Sequence, residues 1–72
     1  MRFPASTGQV AALLRCTEPR LNGLVRRGKI RPTPSVTAGR RLWYEAQVLQ
    51  AAEALDSLDE AVLKAVGREA RR

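Results

Sequence analysis

The amino-acid sequence predicts a mainly α domain, three to four short helices with one two-stranded β-hairpin among them, and three observations lead there. Apolar residues recur at helical spacing in four stretches, three of which begin with a Ser or Thr placed to cap a helix. Between the second and third stretches, residues 29–44 lose that period and become short extended candidates punctuated by Pro and Gly. With 72 residues, the chain has material for one thin core and buries only about 60% of the surface it exposes when unfolded. One unit is therefore expected over residues 1–72, with no cleft between lobes and little capacity to enclose a substrate.

The first helix is expected from Thr7 to Leu14. Ser6 and Gln9 stand in the relation of N-cap to N3 in a capping box, and Val10, Leu13 and Leu14 recur at helical spacing. Arg15 and Cys16 make a short break. Thr17 then caps a second helix whose first turn holds Glu18, suited to the helix dipole, and Pro19, which has no N–H to leave orphaned. Leu21, Leu24 and Val25 form its apolar face, and Gly28 stands where a helix commonly ends. Two short helices joined by a tight turn make residues 6–28 a helix-turn-helix.

Ile30-Arg31-Pro32 and Arg40 to Tyr44 read as the two strands of a hairpin, or wing, over residues 29–44, separated by Thr33 to Gly39. Pro32 and Pro34 require the first strand to be short and at an edge. Helical spacing returns at Glu45, with Val48, Ala51, Ala52 and Leu55 on one face, and pauses at Asp56-Ser57. Ser57 and Glu60 read as a second capping box opening a fourth helix. Leu58, Ala61, Val62, Ala65 and Val66 line its apolar side, Glu60 and Lys64 form an i,i+4 pair opposite, Leu63 sits at the stripe's edge, and Gly67 ends it. Residues 68–72 are expected to fray.

Charge separates the chain into two parts. Thirteen Lys and Arg against seven Asp and Glu give a net charge of +6. Residues 1–44 hold nine of the basic residues and one acid, Glu18, while residues 45–72 are net acidic. The excess of Arg over Lys is a compositional habit that the eleven alanines share, but such a habit does not explain the asymmetry. A basic half of this kind fits a polyanionic partner. No apolar run reaches the ~18 to 20 residues of a membrane span, and the N-terminus lacks the apolar core of a secretory signal, so a cytoplasmic protein is expected. One cysteine and no histidine exclude disulfide frameworks and almost every zinc arrangement, and no base is available to activate Cys16, which reads as a half-buried turn residue.

On a helical wheel with Leu21, Leu24 and Val25 facing inward, Asn22, Gly23, Arg26 and Arg27 face solvent and Arg20 lies on the flank. Gly23 is expected at the bare centre of that face, where it costs about 1 kcal/mol of helix propensity relative to Ala and lets a backbone come close. Lys29 and Arg31, which flank the first predicted strand, and Arg40 and Arg41, on the second, are expected to contact the same polyanion as the helix. Arginine suits bidentate contact with phosphate or guanine, whereas Asn22 pairs with adenine or bonds a phosphate, which residue type alone does not decide. Trp43 is expected in the core, between hairpin and helices, with Tyr44 pointing the other way.

Four segments together, in this order and spacing, resemble the winged helix-turn-helix of MerR-type regulators and excisionases. They are Ser6 to Leu14, Thr17-Glu18-Pro19-Arg20-Leu21, Arg26 to Ile30, and Gly39 to Val48, and the likeness covers roughly residues 5–55. The resemblance implies double-stranded DNA as partner, with the second helix in the major groove and the wing against the adjacent groove or backbone. It assigns Thr17, Arg20, Asn22, Arg26 and Arg27 to the recognition element and Arg40 and Arg41 to the wing. Many relatives carry a basic residue where Gly23 stands and another where Leu42 or Tyr44 stands, which lowers the number of phosphate contacts expected here. No long dimerisation helix or effector domain is seen, so a stand-alone module is implied: a small transcriptional regulator, an excisionase or recombination directionality factor, or the DNA-recognition part of a phage terminase.

No cofactor, metal or small-molecule effector is expected. Catalysis is disfavoured, because acids are sparse in the basic half and no phosphate-binding glycine loop occurs. A rival of another class is a protein-interaction adaptor using the basic face and the last helix. One short helix reads one half-site weakly, so cooperative self-association on DNA or a recombinase or polymerase partner is expected.

Overall fold

Ser6 opens the first helix as its spacing predicts. Its Oγ accepts from the Gln9 N–H at 3.2 Å, and its own N–H donates to Gln9 Oε1 at 2.9 Å, the two halves of a capping box. In the computed structural model, which describes residues 1–67, the elements run β1 (Ala5–Ser6), α1 (Thr7–Leu14), α2 (Glu18–Arg26), β2 (Ser35–Thr37), β3 (Arg40–Trp43), α3 (Glu45–Ala54) and α4 (Glu60–Ala65). About half of the described residues are helical, and the three strands form one antiparallel sheet in the order β1-β3-β2. The tail expected to fray lies outside the described residues.

α1 and α2 have the predicted bounds. Arg15 turns the chain out of α1 in a left-handed conformation (φ 59°), and Thr17 Oγ1 caps α2 by accepting from the Arg20 N–H at 3.3 Å. α2 ends in a Schellman arrangement. Gly28 takes φ +73°, its N–H donates to the Val25 carbonyl at 3.0 Å, and the Lys29 N–H reaches back to the Leu24 carbonyl at 3.0 Å.

The hairpin's first strand is not where the sequence predicts it. Ile30-Arg31-Pro32 is loop, and the pairing strand is Ser35–Thr37, inside the stretch read as the connection. The reason is a competing set of partners on α3. Gln50 Oε1 accepts from the Arg31 N–H at 2.7 Å while its Nε2 donates to the Arg31 carbonyl, and Gln47 Nε2 donates to the Pro32 carbonyl at 2.8 Å. With Ile30 fully buried beneath, this segment is fastened to a helix and has no need of a ladder. The hairpin then turns through two residues, Ala38 and Gly39, both with positive φ. Val36 faces Arg41 and Thr37 faces Arg40 across it. On the other side of β3, Ala5 pairs with Trp43, a third strand absent from the sequence reading.

α4 also starts late. Its N-cap is Asp59, whose Oδ1 accepts from the Val62 N–H at 3.0 Å, so Ser57 caps nothing and its hydroxyl donates instead to the Leu55 carbonyl. Leu58, expected on the apolar stripe, falls before the helix and is exposed, whereas Leu63 is half-buried. Val10, Leu14, Leu21, Ile30, Trp43, Val48 and Val62 are the largest fully buried side chains, so every helix contributes to one core with the sheet closing it. Trp43 is core, as predicted, and Tyr44 is 51% exposed.

Candidate nucleic-acid interface

A concave cleft of about 740 Å³ separates α2 from the hairpin. Glu18, Asn22 and Arg26 border it from α2, one helical turn apart on a single strip. Val36, Gly39, Arg40 and Arg41 border it from the hairpin, and Ser6, Thr7 and Gly8, at the start of α1, line it as well. Hairpin and helix are joined across it, since Arg41 Nη1 donates to Asn22 Oδ1 at 2.7 Å.

Of the nine predicted contact residues, four therefore meet at one place: Asn22, Arg26, Arg40 and Arg41. Asn22 and Arg41 are half-buried, while Arg26 and Arg40 are exposed. The other five do not border the cleft. Thr17 uses its hydroxyl as the α2 cap. Arg20, and Arg27 at the C-cap, are exposed about 140–160° round α2 from Asn22, on the far side of Gly23 from the strip that borders the cleft. Lys29 and Arg31 are exposed in the loop after α2, where the Arg31 backbone is held by Gln50 and its Nε donates to the Gly28 carbonyl at 3.4 Å.

Gly23 corrects the wheel reading. It is buried, not bare: the Arg27 guanidinium folds back over it, with Nη1 3.4 Å from the point a Cβ would occupy. The missing side chain makes room for the arginine one turn on, which covers the helix backbone in place of an approaching ligand.

Glu18 and Val36 are bordering residues that the sequence reading did not assign to the site. Glu18 Oε2 lies 3.1 Å from the Cβ position of Gly8, so the carboxylate leans on the first turn of α1, where a helix dipole favours negative charge. The spacing 18, 22, 26 was the available signal for Glu18, because i,i+4 steps put it in line with two residues already singled out. Val36, 62% exposed beside the arginines, carried no such signal, since the strand containing it was placed elsewhere.

Two groups outside the cleft are shifted. Burial pushes the Cys16 thiol up, against a smaller downward pull from Arg20. The Val62 N–H and then Arg15, whose Nη2 is 2.9 Å away, hold the Asp59 carboxyl below its usual range. Among the described residues, no group of three or more Cys, Asp or Glu is placed to hold a metal ion, and no helix is long and apolar enough to cross a membrane. In comparisons with known proteins, the chain matches no family model, no curated protein and no solved structure.

Proposed function

We propose that this chain is a sequence-preferring double-stranded DNA-binding protein of the winged helix-turn-helix type, cytoplasmic and nucleoid-associated, which acts by binding and not by catalysis. α2 enters the major groove and the β2–β3 hairpin lies on the adjacent groove or backbone. The role that fits is a small transcriptional regulator or an excisionase-like recombination directionality factor.

One observation carries the reading. Arg26 from the helix and Arg40 and Arg41 from the hairpin meet at one concave surface, although fourteen or more residues separate them along the chain. Guanidinium groups brought together by two different elements suit a polyanion with two strands of phosphates, one for each element. Arg20 and Arg27 lie on the opposite flank of α2's exposed face and add to the net positive charge without bordering the cleft. The ion pair between Arg15 and Asp59 lies outside it and leaves these cations in place.

The test is a titration of the full chain with a duplex and its scrambled counterpart over a range of salt. With about five phosphates neutralised, log K falls against log salt with a slope near −4 to −5. A flat response overturns the proposal. Footprinting on DNA flanking its own gene would then separate cooperative arrays, seen as evenly spaced protected blocks, from a single site.

A further inference from the structure

Arg41 and Asn22 face each other across the cleft with Nη1 2.7 Å from the amide. A guanidinium has donors and no acceptor, so the amide atom facing it is the carbonyl oxygen. Chemistry thereby fixes the orientation of Asn22, and its NH₂ group is the end left for a ligand. An asparagine reads adenine by accepting from N6–H and donating to N7 at once. Here the acceptor already holds Arg41, and an adenine amino group approaching the same oxygen would bring its positive hydrogens against a cation. The Nε of Arg41 is meanwhile buried with no hydrogen-bond partner. That buried Nε cannot reach a ligand, but the guanidinium as a whole is only half-buried, and its Nη hydrogens other than the one on Asn22 remain to donate.

We infer that Asn22 and Arg41 act as one composite donor that recognises an acceptor-only group of the duplex and does not read adenine. That group is either the N7/O6 edge of guanine or a backbone phosphate. The inference rests on the DNA-binding reading and deepens it, because it turns two side chains that residue type left ambiguous into one unit of defined polarity. Asn22 does not have this polarity alone, since a free asparagine offers donor and acceptor alike.

The experiment selects preferred duplexes for the full chain from a randomised pool. It then measures Kd for the wild type and Asn22→Ala on the selected site and on two modified versions. One version carries 7-deazaguanine, which lacks the N7 acceptor, at each guanine in turn. The other carries a single methylphosphonate at each phosphate in turn. On the unmodified site Asn22→Ala binds about tenfold more weakly, as loss of one good contact implies. At one modified position the wild type loses about as much and Asn22→Ala loses nothing further. If that position is a 7-deazaguanine, the unit reads guanine; if it is a methylphosphonate, the unit grips the backbone, and base preference survives the mutation.

Two results overturn the inference. One is that the losses from mutation and modification add at every position, so that Asn22 touches neither group. The other is that the preference lost in Asn22→Ala is for adenine. Should the wild type bind no duplex at all, the DNA-binding reading itself falls and takes this one with it. A circular dichroism melt of Asn22→Ala that matches the wild type assures that the fold is intact.

Discussion

The indole Nε1 of Trp43 donates to the Oγ1 of Thr7 at 3.1 Å, tying the central strand to the first turn of the first helix. Trp43 is also fully buried and pairs with Ala5, so three elements meet at one side chain. Removing such a residue costs about 3–5 kcal/mol. A chain of 72 residues has in total about 4–10 kcal/mol, at roughly 0.05–0.15 kcal/mol per residue. Trp43→Ala is thus expected to leave a large unfolded fraction at 25 °C, whereas Thr7→Ala, which breaks only the hydrogen bond, loses about 1 kcal/mol. Urea titration followed by circular dichroism checks both, and equal midpoints for the two variants would contradict this account of the core.

Two glycines of one helix predict shifts of opposite sign. At Gly23 the nearest obstacle to a Cβ is the Arg27 guanidinium, the far end of a flexible side chain that swings aside. Gly23→Ala therefore keeps most of the helix-propensity gain, about 0.5–1 kcal/mol, and raises the melting temperature. At Gly28 nothing lies within 4 Å, yet φ is +73°, where an L side chain costs about 1–2 kcal/mol. Gly28→Ala lowers the melting temperature although there is ample space for its methyl group. Calorimetry on the pair separates steric room from backbone conformation.

Asp59 makes stability depend on pH in one direction. Its carboxyl is held below the ordinary 3.8 by the Val62 N–H and by Arg15, so the folded state favours the ionised form. A lowered folded value gives stability that is complete above the unfolded value and is lost as pH falls through the folded one. The loss is therefore expected below about pH 4, and not near neutrality. Asp59→Asn keeps a capping oxygen but no titrating charge, and the difference in melting temperature between it and the wild type should shrink as pH is lowered from 6 to 3. A difference that stays constant over that range would mean that Asp59 contributes through the cap alone.

Features set by neighbours in sequence were legible, and features set by distant partners were not. Ser6 with Gln9, Thr17 with Arg20, and Gly28 mark helix ends through bonds that span three to five residues. Arg31 looked extended, and its backbone does pair, but its partner is a glutamine side chain 19 residues away. Ala5 and Ser6 are too short a strand to show any period; they pair because Trp43 and Leu42 arrive beside them. Ser57 was read as the cap of the last helix, but Asp59 takes that place, and its second oxygen also meets Arg15, 44 residues away. The same division holds at the cleft. Charge asymmetry marked the basic half and the wheel turned Asn22 and Arg26 outward. Which strip of α2 faces the hairpin depends on the register that sets Arg41 opposite Val36.

That register turns on two residues at the tip. Ala38 (φ 52°) and Gly39 (φ 77°) both take left-handed conformations, the backbone of a two-residue type I′ turn, whose favoured sequence is Asn-Gly. Alanine gains nothing there to offset the steric cost, whereas an asparagine side chain bonds locally and tolerates the conformation. Ala38→Asn should stabilise the fold by about 0.5–1 kcal/mol, a rise of about 2–8 °C in Tm for a domain of this size. Arg40 and Arg41 follow the turn directly, so under the proposed DNA-binding function a stiffer tip leaves less motion to freeze on binding, and DNA affinity should hold or increase. Ala38→Val supplies the opposite case, because a β-branched residue is poorly accommodated at positive φ and should lower both Tm and affinity. If Ala38→Asn melts earlier than the wild type, the tip in solution is not this turn, and the pairing of Val36 with Arg41 that shapes the cleft loses its support.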